Sequence, residues 1–167
     1  GSATGTSTTT NASGIATVTL TSTTAGTANL TAKGAGADAG KTASAVFLAD
    51  SSTARVVSFT ASPTSIVANG ATTSTLTATV KDAHGNDLGA GIAIYWTTSL
   101  GSLAAASSVT DSTGTATVVL TSGIVAGSAN VSAKAVASDA GKTATVDMIA
   151  DAAGNLPLRI YKRLDTR

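Results

Sequence analysis

The chain repeats itself, and the length of the repeat limits what it can fold into. Laid on residues 101–151 with one gap, residues 1–50 give 25 identities, half of the positions. Thr21-Ser22 returns as Thr121-Ser122, and Ala28-Asn29 returns as Ala129-Asn130. Asp38-Ala-Gly-Lys-Thr-Ala43 returns as Asp139-Ala-Gly-Lys-Thr-Ala144, and Ala49-Asp50 returns as Ala150-Asp151. Agreement spread over so many separate segments is not a product of biased composition. A period of about 100 residues describes globular modules in tandem, not a solenoid of short repeats. Residues 51–151 then make one complete module, 1–50 the C-terminal half of a preceding one, and 152–167 a tail outside the repeat.

The pattern inside the module is that of strands. Thr73-Ser-Thr-Leu-Thr-Ala-Thr-Val80 alternates, with Leu76, Ala78 and Val80 on one face and Thr75, Thr77 and Thr79 on the other. Gly91-Ile-Ala-Ile-Tyr-Trp-Thr97 sets Ile92, Ile94 and Trp96 together, with Tyr95 opposite. Thr115–Thr121 and Thr143–Ile149 keep the same period of two. Turn residues separate these runs at Ala68-Asn-Gly, Asp82-Ala-His-Gly-Asn-Asp, Asp111-Ser-Thr-Gly and Ser138-Asp-Ala-Gly-Lys. Short alternating strands between such turns predict an all-β, antiparallel β-sandwich. The 25 large apolar side chains of 51–151 suffice for a core at about 1.5–3 kcal/mol each when buried. The seven in 1–50 (Ile15, Val18, Leu20, Leu30, Val46, Phe47, Leu48) cannot fold fifty residues alone. Either upstream sequence or another chain has to complete that half.

Composition removes most catalytic chemistry. There is no Cys, no Glu and a single His, His84, so thiol nucleophiles, thiolate metal sites and His-rich metal sites are out. The nine Asp fall mostly in turns, without the paired carboxylates that acid–base work requires. The expectation is no enzyme, no cofactor and no metal. Residues 1–158 hold six basic side chains against eight Asp, so the body offers no basic face to nucleic acid. No apolar run is long enough to span a membrane.

The ordered motifs Ala61-Ser-Pro-Thr-Ser-Ile-Val-Ala-Asn-Gly70, Thr75-Leu-Thr-Ala-Thr-Val-Lys-Asp82, His84-Gly-Asn-Asp87, Ile94-Tyr-Trp-Thr-Thr98, Leu100-Gly-Ser-Leu103, Asp111-Ser-Thr-Gly-Thr-Ala-Thr-Val118 and Ala126-Gly-Ser-Ala-Asn-Val131 resemble bacterial immunoglobulin-like domains of group 1. These are the tandem modules of invasin- and intimin-type adhesins. The resemblance covers 1–151, once in full and once in half. It departs at Asp87, where the family's turn has Pro. It implies an immunoglobulin-like sandwich and a stalk or spacer role at the bacterial cell surface or in a secreted protein, with neighbouring modules of the same chain as partners. It carries over no receptor-binding residues. Two other readings stay open: a receptor- or glycan-binding module, and a structural subunit of a filament or phage surface assembly joined by strand exchange.

Single residues are weighed in the same way. Trp96 is in phase with Ile92 and Ile94 and is expected in the core rather than as a sugar platform. Asp82, His84, Asn86 and Asp87 offer ligand atoms, but lack the spacing of a calcium loop and fit a tight turn. Asp38 and Asp139 are expected in matching hairpins. Asn11, Asn29 and Asn130 fit the glycosylation triplet by chance in a Ser/Thr-rich chain. Asp147, whose repeat counterpart is Val46, is expected to face outward. In the basic tail, Leu156, Leu158, Ile160 and Leu164 share a face, with Tyr161 opposite. The segment is either disordered or a strand that pairs with another polypeptide.

Overall fold

The computed structural model describes residues 7–151. Eleven strands are present among them: β1 Gly26–Ala32, β2 Lys41–Phe47, β3 Arg55–Ser62, β4 Ser65–Val67, β5 Thr73–Lys81, β6 Ala93–Thr98, β7 Ser102–Leu103, β8 Ser107–Val109, β9 Thr115–Thr121, β10 Gly127–Lys134 and β11 Lys142–Ile149. From β3 onward they form two facing sheets, ordered β4-β11-β10-β6-β8 and β3-β5-β9-β7. The predicted alternation holds. Leu76, Ala78 and Val80 of β5 are fully buried, as are Ile94 of β6, Leu120 of β9 and Val131 of β10. Trp96 stands among them, its ring centroid 5.7 Å from that of Phe59, and its indole Nε1 donates to Ser108 Oγ at 3.0 Å. Tyr95, one residue away, is exposed on the outer face.

One pairing departs from an all-antiparallel sandwich. At the cis peptide bond Ser62–Pro63 the chain leaves the β3 sheet, and β4 joins the opposite one beside β11 in parallel. The strand keeps its direction as it changes sheets, so its new neighbour runs alongside it. Buried Ser74 steadies the crossing by donating to the Pro63 carbonyl at 2.7 Å.

β1 and β2 pair only with each other. Their register runs from Gly26↔Phe47 to Ala32↔Lys41, and that of β10 and β11 runs from Gly127↔Met148 to Ala133↔Lys142. Adding 101 to each number converts one pairing into the other. The tail residues Leu156, Leu158, Ile160, Tyr161 and Leu164 lie outside the described residues.

Candidate functional site at the repeat junction

The turn between β5 and β6 does more than reverse the chain. Asp82 N–H donates to Asn86 O and Gly85 N–H to Asp82 O, closing a tight loop in which Gly85 takes a φ of 86°, a conformation that favours glycine. Lys81 Nζ reaches Asp87 Oδ1 at 2.8 Å across its mouth, so Asp87 has a partner. Asp82 is the buried centre of the loop. Its Oδ1 accepts from the backbone N–H of His84 (2.8 Å) and of Asn86 (2.9 Å). Its Oδ2 accepts from Asn86 Nδ2 at 2.8 Å and from Asp50 N–H at 3.2 Å. The Asn86 amide above all, with the backbone donors behind it, holds the carboxyl well below the ordinary carboxylate range, against the opposing effect of burial.

Two of these side chains reach the first repeat. Asn86 Oδ1 accepts from Ala25 N–H at 2.9 Å, and its Nδ2 donates to Thr23 O at 2.9 Å. One amide thereby reads both edges of the backbone that leads into β1. The Asp50 N–H bound by Asp82 belongs to the linker, and the linker itself is ordered. Asp50 caps a single 3₁₀ turn, Ser51–Thr53, Ala83 N–H donates to Thr53 Oγ1 at 3.1 Å, and Arg55 donates to the Asp82 and Ala83 carbonyls. The loop between the repeats is thus tied down from three sides.

The structure also places the remaining candidates. His84 is exposed at the loop tip. The four oxygen-directed bonds at Asp82 make it an anchor for N–H groups, in keeping with the turn reading. An open cleft of about 780 Å³ lies beside the loop, lined among others by Arg55, Asp82, His84, Asp139 and Lys142. Asp139 is likewise occupied with backbone: its Oδ2 accepts from Val56 and Ala135 N–H, and its Oδ1 from Gly141 N–H. Asp38 repeats two of these bonds, to Gly34 and Gly40 N–H, so the expected matching hairpins are present. Asn29 and Asn130 are exposed strand residues, and Asn11 Oδ1 caps its own turn through Ser13 and Ile15 N–H. Asp147 faces outward and accepts from Ser128 Oγ at 2.6 Å. The inter-repeat role of Asn86 was not visible in sequence. Its only local signal is an Asn four positions after a buried Asp, and its partners lie 61 and 63 residues upstream.

Residues 53–151 match the family model of invasin, domain 3. The chain belongs to that family. A 101-residue stretch is 43% identical to the inverse autotransporter adhesin YeeJ of Escherichia coli strain K12, covering 59% of this chain and 4% of that protein. The D0–D1 domains of intimin superpose with a TM-score of 0.53 at 32% identity, over 83% of this chain and 70% of that one. Invasin, described as a bacterial integrin-binding protein, superposes with a TM-score of 0.51 at 31% identity, over 85% of this chain and 28% of that one. The chain therefore spans only a small part of the adhesins it resembles, and its fold is that of an invasin- and intimin-type immunoglobulin-like domain.

Proposed function

We propose that the chain is a structural spacer from a bacterial surface adhesin, with residues 51–151 as one immunoglobulin-like module and residues 1–50 as the C-terminal half of the module before it. It holds other parts of the protein away from the cell envelope and catalyses nothing. The observation that carries this reading is the Asn86 amide, which grips Thr23 and Ala25 of the preceding repeat while bound to Asp82. A spacer needs length and a fixed angle. A nine-residue strand such as β5 contributes about 30 Å along the axis, and the junction bonds oppose bending between units. The match of β1–β2 to β10–β11 in register and turn supports the half-module assignment.

The two bonds from Asn86 to the first repeat contribute about 1–3 kcal/mol together. Asn86→Ala should therefore raise the undocked population roughly five- to 150-fold. Spin labels on exposed Ser44 and Thr117, one in each repeat, report this as a distance distribution. The parent is expected to be narrow, and Asn86→Ala broad, with the sandwich still folded. A parent distribution as broad as that of the variant would refute a rigid junction.

A further inference from the structure

We infer that the loop at residues 121–126, centred on Ile124 and Val125, is a docking surface for a further immunoglobulin-like module, which it would grip as the loop before β1 grips Asn86. This rests on the spacer reading and assigns residues at the opposite end of the sandwich from the observed junction.

The internal repeat supplies the correspondence. Ser22 and Ser122 occupy one position, and Ala25-Gly26 corresponds to Ala126-Gly127. In the first repeat this is the stretch whose Thr23 carbonyl and Ala25 N–H are held by the Asn86 amide. The equivalent stretch in the second repeat lies where the chain leaves the sandwich. Ala68 N–H donates to Ile149 O, Gly70 N–H to Gly123 O and Ser122 N–H to Thr72 O, so the end of β11, the turn 69–72 and the loop 121–126 share one end. The β5–β6 turn lies at the other end, because Thr73 at the start of β5 pairs with Thr121. In the first repeat β2 also ends beside the gripping loop, through the Gly26↔Phe47 pair, and leads by Ala49-Asp50 into the linker. Ala150-Asp151 repeats that exit. A module joined there would meet 121–126 as residues 82–87 meet 23–25.

The loop's own chemistry is the second observation. Its backbone is fixed by the bonds to Gly70 and Thr72, and Ser122 Oγ bonds to Asn69 Oδ1. Yet Ile124 is 83% exposed and Val125 64% exposed. They stand in a loop one residue longer than Thr23-Thr24-Ala25, where the first repeat has hydroxyls. Two neighbouring aliphatic side chains on an anchored turn suit the centre of an interface better than a solvated turn. The partner is thus a module offering a side-chain amide to the backbone and a small apolar surface to Ile124 and Val125.

Two experiments test this. In the full chain, Thr23–Ala25 is replaced by the four-residue sequence of Gly123–Ala126, and the Ser44–Thr117 distance distribution is measured. It should stay as narrow as the parent's; broadening to match Asn86→Ala overturns the inference. In a second protein, a further copy of residues 51–151 follows Asp151 in place of residues 152–167. Hydrogen exchange at residues 124–126 should then slow at least tenfold, and Asn86→Ala in the added copy should abolish the effect. Unchanged exchange overturns the inference. A broad parent distribution would instead remove the spacer reading beneath it, so the two failures are distinguishable.

Discussion

Trp96→Ala should nearly unfold the sandwich. The side chain is 3% exposed and lies between the two sheets. Truncating a buried Trp costs about 3–5 kcal/mol through lost transfer energy and the cavity left behind. The tilted contact with Phe59 at 5.7 Å disappears with it, and Ser108 Oγ loses the indole donor. Neighbours cannot collapse into the space cheaply, because Ile94, Val131 and Leu120 already sit fully buried on strands fixed by their ladders. For a domain of about 100 residues, each kcal/mol is worth roughly 4–8 °C, so the loss should lower Tm by about 12 °C or more. Calorimetry is the suitable assay, because the variant lacks the chain's one Trp and is dark in fluorescence. Tyr95→Ala is the matched control. Its side chain is exposed on the outer face of the same strand, and the change should stay within about 0.5 kcal/mol. A Trp96→Ala transition within about 4 °C of the parent would show that the core does not depend on this residue.

Acid should weaken the junction loop. The folded carboxyl of Asp82 titrates below its unfolded value near 4, so its contribution is present above that pH and is lost as pH falls through the depressed folded value. Asp82→Asn should lower Tm at neutral pH and flatten its decline below about pH 4; parallel declines in parent and variant would contradict this. Asp139→Ala orphans three N–H groups, two of them within the sandwich core region, each costing about 1–3 kcal/mol. Asp38→Ala, in an exposed turn with two such bonds, should cost less, and calorimetry showing equal losses would refute the comparison. Placing a copy of residues 51–100 before Gly1 should complete the first repeat and protect the amides of β1 and β2 from hydrogen exchange. Exchange as fast as in the parent would refute the half-module assignment.

Much of this molecule can be read directly from its residues. The alternation at 73–80 and 91–97 placed Leu76, Val80, Ile94 and Trp96 inward, because a period of two leaves one face for each residue type once the other face meets water. The hairpins at Asp38 and Asp139 followed from their turn chemistry. What stayed illegible depends on partners far away in sequence. Ser65–Val67 pairs parallel to β11, and only the facing sheet decides that. Asp139 reads as a turn residue, and its bond to Val56 N–H, 83 positions away, is invisible until the sheets face each other. Asn86 reads as a turn former for the same reason: the turn and the grip use the same side chain, and only the turn is local.

The two repeats separate local from non-local causes within one chain. Asn11 and Asp111 each accept from the N–H groups two and four residues on, and Gly14 and Gly114 take φ of 74° and 73°. The same turn forms whether or not a sandwich surrounds it. The segment that follows behaves differently. Thr115–Thr121 is strand β9, laddered to β5 and β7, whereas residues 15–21 form no strand, and Ile15 and Val18 stand exposed. Turn chemistry therefore needs about five residues, whereas strand identity at this position requires partner strands such as β5 and β7. The pair β1–β2 lies between these cases, since a hairpin brings its own partner strand. In a tandem array this division has an energetic consequence. Each sandwich is stabilised mainly by its own two sheets, while the Asn86 grip adds about 1–3 kcal/mol per junction as a nearest-neighbour term. A term of that size can fix the angle between units without fusing them into one cooperative body, so a unit that opens under strain need not unfold the next.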